Sequence, residues 1–71
     1  MELSESLKRF RKTKKITQKQ ATLSAGVSER VYQSYEYGKV IPTVTLLISL
    51  ADSFNVSLDY LVGRSDDPAR H

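Results

Sequence analysis

All three glycines of this 71-residue chain, Gly26, Gly38 and Gly63, stand where a stretch with helical apolar spacing stops. Four of the stretches open on a residue suited to cap a helix N-terminus: Thr17, Ser28, Thr43 and Ser57. A capping oxygen accepts from a free N–H of the first turn, and a glycine takes up the left-handed backbone that follows the last one. Punctuation this dense leaves room only for short helices, and no segment shows the strict alternation of a half-buried strand. The expected fold is all-α: five short helices packed as one domain.

The first helix is expected from Leu3 or Ser4 to about Lys14, with Leu3, Leu7 and Phe10 forming one stripe on a charged cylinder. The second begins at Thr17, where Thr17-Gln18-Lys19-Gln20 fits a capping box, and stops at Gly26. The third runs from the cap Ser28 to about Tyr37. A turn of roughly three or four residues containing Gly joins these two, which is the connection of a helix-turn-helix spanning about residues 18–37. The fourth follows Pro42-Thr43 and is expected to turn Val44, Leu47, Ile48, Ala51 and Phe54 inward. The fifth follows Ser57, with Leu58 and Leu61 inward. Residues 1–64 form the domain, and the charged tail 65–71, lacking an apolar anchor, is expected to be loose.

Several function classes are excluded by what the chain lacks. Without cysteine there is neither a disulfide framework nor a thiolate metal site. No apolar run approaches the roughly 18 residues of a membrane span, and the N-terminus has no signal-like apolar stretch. A soluble, cytoplasmic protein without membrane contact is expected. The only histidine is His71, no nucleophile lies beside a plausible base, and Asp52 and Asp59 read as a helix-surface residue and a cap. Neither catalysis nor a metal, cofactor or small-molecule ligand is expected.

The charge is unevenly spread. Residues 8–19 hold seven of the eleven Lys and Arg, residues 40–63 hold none, and the net charge is +3. A polyanionic partner on one side would explain this, and so would a solvated helix face. On the third helix, Glu29, Arg30, Gln33 and Ser34 fall within an arc of about 140° at 100° per residue, with Tyr32 and Tyr35 opposite. Arg matches guanine, Gln matches adenine, Glu accepts from cytosine N4 and Ser serves either. Taken alone, that face is better explained by solvent. The preceding helix, the basic segment and Lys39 shift the balance toward duplex DNA.

The pattern T-Q-x(3–4)-A-x-x-x-G-V-S, then Y-x-x-Y-E-x-G-K, P-T-x-x-x-L-x-x-L-A and N-V-S-L-D-Y-L resembles the lambda-repressor-like, Cro-type (XRE) helix-turn-helix family over about residues 3–63. The resemblance implies that the third helix lies in the DNA major groove with Glu29, Arg30, Gln33 and Ser34 at base-reading positions. It implies phosphate contacts from Gln18, which would also brace the recognition helix, and from Lys39 and Thr43, to which Lys14, Lys15 and Lys19 would add sequence-blind attraction. It also pairs Arg11 with Glu36 in a salt bridge locking the first helix to the third. Two departures stand out. Ala21-Thr22 replaces the usual Leu-Ala, so that Tyr32 and Tyr35 are expected to fill the missing volume. Lys15 stands where a glycine is frequent, so the loop need not adopt a left-handed turn there.

By the same resemblance the chain is a bacterial or phage transcriptional regulator, a repressor by preference. An antitoxin binding its own promoter, a restriction–modification controller and a protein-interaction module on the same fold are the alternatives. One recognition helix reads too few base pairs to select a genomic site, so a homodimer on an inverted repeat is expected. Val56, Tyr60 and Val62 are the candidate dimer contacts, unless Val56 and Val62 complete the monomer core.

Overall fold

The computed structural model describes residues 2–69 and contains five helices: α1 Leu3–Lys14, α2 Gln18–Ala25, α3 Glu29–Glu36, α4 Val44–Phe54 and α5 Leu58–Leu61. The capping residues act as their chemistry dictates. Thr17 closes a complete capping box with Gln20, while Ser28, Thr43 and Ser57 each accept from the backbone N–H three residues on. Each such cap stabilises its helix by about 1 kcal/mol, a large share for helices this short. Gly26 and Gly38 end α2 and α3 in the left-handed region, at φ 72° and 76°.

Two non-glycine residues share that conformation, Lys15 at φ 57° and Asn55 at φ 54°. Asn55 tolerates it; Lys15 adopts it although the residue type did not require a left-handed turn before Thr17. The physical reason is local. The Lys15 and Ile16 N–H groups turn back onto the Lys12 and Arg11 carbonyls, closing α1 with a left-handed residue whatever its side chain.

The core gathers Leu7 and Phe10 of α1, Ala21 of α2, Tyr32 and Tyr35 of α3, four residues of α4, and Val56, Tyr60 and Leu61. Phe10 meets Phe54 edge-on at 5.3 Å, and Tyr32 meets Tyr35 edge-on at 6.4 Å. Ala21 lies in the same cluster as the two tyrosines, and Leu23 points into solvent. Helix α1 packs on both α3 and α5, and α2 on both α3 and α4.

Three expectations are corrected here. The buried stripe of α4 is Leu46, Leu47, Leu50 and Ala51, with Val44 66% and Ile48 45% exposed. A helix touched on two sides, by α2 and α5, buries a wider and rotated face than a single stripe selects. In α5, Leu58 is exposed, whereas Tyr60 is 3% exposed beside Leu61. Val56, at 0%, and Tyr60 therefore belong to the core and are not surface dimer contacts; Val62 is partly buried against the same cluster.

The tail, expected to be loose, makes hydrogen bonds to the domain as far as Pro68; Arg70 and His71 lie outside the described residues. Arg9 supplies the anchor that apolar residues do not. Its guanidinium lies 4.0 Å above the Tyr60 ring and donates to the Tyr60 and Ser65 carbonyls and to Asp66. Ser57 N–H donates to the Pro68 carbonyl at 2.9 Å. Arg9 thus leaves the set of basic residues free to meet a polyanion.

Candidate nucleic-acid interface

Helix α3 is anchored by its inner side and presented by its outer one. Tyr32, Tyr35 and Glu36 are buried, Glu29 and Arg30 are exposed, and Gln33 and Ser34 are partly exposed. Three residues, 26–28, separate it from α2, so both helix N-termini are set by tight backbone geometry and not by a flexible loop. Beyond its C-terminus, the Lys39 and Val40 N–H groups both donate to the Ser34 carbonyl, which fixes where Lys39 leaves the fold.

The buried end of α3 is held by an ion pair. Arg11 donates from Nε to Glu36 Oε2 at 2.5 Å and from Nη2 to Glu36 Oε1 at 2.9 Å, a bidentate fork from α1 to α3. Gln18 Nε2 adds a third bond to Glu36 Oε1 at 3.2 Å. Burial pushes the Glu36 carboxyl up, but the bonds from Arg11 and Gln18, with the neighbouring Tyr32 hydroxyl, outweigh it and hold the group below its ordinary value. The bond to Glu36 raises Arg11 further. The Tyr32 phenol is pushed up by burial and then by the Glu36 charge, so it stays neutral. Its Oη is enclosed without a close hydrogen-bond partner among the described residues.

The outward groups form one continuous surface. A shallow depression at the start of α2 is lined by Arg11, Ile16, Thr17, Gln18, Lys19 and Glu29. A second, along α3, is lined by Arg30, Gln33, Ser34, Tyr37 and Lys39. Gln18 and Gln33 connect them, since Gln33 Nε2 donates to Gln18 Oε1 at 3.2 Å. Ser34 Oγ donates to the Val31 carbonyl, which leaves its lone pairs facing outward as acceptors. Thr43 is exposed, and its Oγ accepts from Leu46 N–H, so its proton is free to donate. Lys15 and Lys19 are exposed on the α2 side.

Two features of this surface escape reasoning from residue types. Tyr37 lies 61% exposed in the second depression; the signal was an aromatic at i+3 from Ser34 and i+4 from Gln33, on the polar side. The coupling of Gln18 to both Gln33 and Glu36 has no signature in spacing, because it joins two helices. No described helix is long and apolar enough to cross a membrane. Among the described residues, no group of three His, Cys, Asp or Glu could hold a metal ion.

A capped helix, a three-residue turn and a second helix buried on one side and polar on the other define the class: a helix-turn-helix domain in an all-helical fold. The chain belongs to that family, since the family model described as Helix-turn-helix matches residues 7–61. It is 40% identical over 65 residues to an uncharacterized HTH-type transcriptional regulator, YqaE, of Bacillus subtilis (strain 168), covering 90% of this chain and 56% of that protein. It is 38% identical over 64 residues to the cryptic phage CTXphi transcriptional repressor RstR of Vibrio cholerae serotype O1, covering 90% of this chain and 57% of that one. The chain therefore spans little more than half the length of these relatives. No solved structure matches it significantly.

Proposed function

We propose that the chain binds double-stranded operator DNA as a transcriptional repressor, with α3 in the major groove and no catalytic step of its own. The observation that carries this is the division of α3: Glu29, Arg30, Gln33 and Ser34 outward, with Tyr32, Tyr35 and Glu36 fixed inward. In this reading the outward four meet base edges. Gln18, Thr43, Lys15, Lys19 and Lys39 meet phosphates on either side of the groove. Residues 1–64 act as the binding unit, in the cytoplasm where the DNA is. The likeness to a phage repressor supports repression over the other roles of the fold.

The same reading requires two copies on an inverted repeat, one recognition helix per half-site. With Val56 and Tyr60 in the core, the apolar side chains free to meet a second copy are Val40, Ile41, Val44, Ile48 and Leu58, all exposed within residues 40–63, which hold no Lys or Arg. Three lysines per copy, Lys15, Lys19 and Lys39, give about six phosphate contacts and a slope of log affinity against log salt near −5. Affinity for the selected site then falls roughly a thousandfold between 50 and 200 mM salt. Selection from random duplex DNA followed by anisotropy titration across that range tests this. Enrichment of no sequence, or binding indifferent to salt, would sink the reading.

A further inference from the structure

We propose that Ile41, in the loop between α3 and α4, is an apolar wedge that enters the DNA minor groove between the two half-sites and bends the operator. The proposal rests on the DNA reading above and extends it from the major groove to base pairs that α3 does not reach.

The loop carries an apolar tip where a backbone contact alone would call for a cation. Residues 37–43 join the two helices, and Ile41 is 84% exposed, more than any other large apolar side chain among the described residues. It does not hang on a slack segment. Before it, the Lys39 and Val40 N–H groups are both tied to the Ser34 carbonyl. After it, Pro42 is buried with its φ fixed by the ring, and Thr43 caps α4, accepting from Leu46 N–H at 3.2 Å. A tip held from both ends gives up little freedom on insertion, and insertion takes its apolar surface out of water.

Its place in the chain decides what it meets. Ile41 stands midway between Lys39 and Thr43, both of which meet phosphates in the reading above. Four residues of extended chain reach at most about 14 Å, enough to straddle a minor groove roughly 6 Å wide with one residue on each wall. A chain that leaves the C-terminal end of α3 across the strand bounding the major groove arrives at that minor groove. Val44 and Ile48, exposed on the helix that follows, are surface left for a second copy, so both loops lie on the inner side of the pair. A second copy seated on Ile41 itself would draw two like-charged lysines together, whereas the duplex neutralises both.

Isoleucine has neither donor nor acceptor, so it reads no hydrogen-bonding pattern. Apolar side chains of this kind part a base step from the minor groove and kink the duplex toward the major groove, which here wraps it onto the protein. Parting costs least at pyrimidine–purine steps, so the wedge selects sequence where no base edge is touched.

The test uses the full chain on an operator obtained by selection from random duplex DNA. Bending is read from circularly permuted fragments in gels, and unstacking from a fluorescent adenine analogue placed at each step between the half-sites. The wild type should bend the duplex by at least roughly 20°, brighten the analogue at one step and enrich a pyrimidine–purine step there. Ile41→Ala should melt like the wild type, lose the bend and the brightening, and flatten the preference at that step to within about twofold while the half-sites keep theirs. Ile41→Lys adds attraction to phosphates without a wedge, so it should bind at low salt at least as tightly as the alanine variant and bend no more. A straight operator under the wild type, or a bend that survives either substitution, overturns the proposal and leaves recognition of the half-sites standing. Sedimentation of the DNA-free protein examines the rival occupant: wild-type dimers that Ile41→Ala splits into monomers overturn it as well. Failure of the wild type to enrich any sequence overturns the DNA reading along with it.

Discussion

Replacing Arg11 by Met, which keeps the aliphatic packing and removes the charge, should destabilise the domain far more than loss of a surface ion pair. Glu36 is 1% exposed and takes two of its three bonds from Arg11. Removing one partner of a buried pair costs about 3–5 kcal/mol, because the other charge is left without compensation. The Arg11 side chain is 23% exposed, so water reaches that end and the lower figure, about 3 kcal/mol, applies. A domain of 71 residues has roughly 4–11 kcal/mol in total. The loss corresponds to a fall in Tm of about 12–24 °C at pH 7.

The pH dependence carries the mechanism. In the wild type the Glu36 carboxyl is depressed in the folded state, so it contributes stability above the ordinary value of 4.5 that is lost as pH falls through the folded pKa. In the variant, burial acts with only Gln18 and Tyr32 against it, and the folded pKa moves up. The folded variant then binds the proton more tightly than the unfolded chain, and it gains stability as pH falls toward 4.5. The gap between the two proteins therefore narrows between pH 7 and pH 4. Thermal melts by circular dichroism at the two pH values measure it. A fall below about 5 °C at pH 7, the range of a surface bridge, or an equal gap at both, would refute a buried carboxylate held by its guanidinium.

Three further perturbations test separate parts of the fold. Tyr32→Phe removes a buried hydroxyl that favours the Glu36 carboxylate but has no close hydrogen-bond partner among the described residues, so it should change stability by less than about 1 kcal/mol in either direction; a larger loss, read from urea midpoints, would reveal a direct bond to Glu36. Lys15→Gly relieves a left-handed side chain at φ 57° and should raise stability by up to about 1 kcal/mol, after the greater freedom of glycine in the unfolded chain is deducted; a fall would refute strain at that turn. Arg9→Met should cost about 2 kcal/mol and speed amide exchange over 65–69, because it loses two backbone carbonyls and the Tyr60 ring. Asp66→Asn should leave the melt unchanged, since that carboxylate is fully exposed.

What was legible in the sequence was what short-range chemistry decides. Thr17, Ser28, Thr43 and Ser57 cap where they stand because the bond they make reaches three residues and needs nothing else in the fold. Helix α3 was readable for a similar reason: its inward tyrosines and outward polar residues lie on opposite sides of one cylinder, and the period of that cylinder is fixed. The reading went astray where a residue answers to more than one neighbour. Tyr60 looked like surface because α5 is four residues long and has no period to read; Thr13 takes its hydroxyl at 2.5 Å and Arg9 its ring face, and both come from α1. Arg9 was counted with the cations facing a polyanion, although its partners lie more than fifty residues downstream.

The candidate interface divides along the same line. Which residues of α3 point outward is a property of one helix. Which way the amide of Gln33 faces is a property of four side chains on three helices, joined in an order that begins with a group unable to accept any bond. A substitution at Arg11 of α1 or Glu36 of α3, neither of which faces the groove side, should then weaken DNA binding as well as stability, because the fork between them holds α3 in place. A substitution at Lys39 should alter affinity and salt dependence without altering base preference.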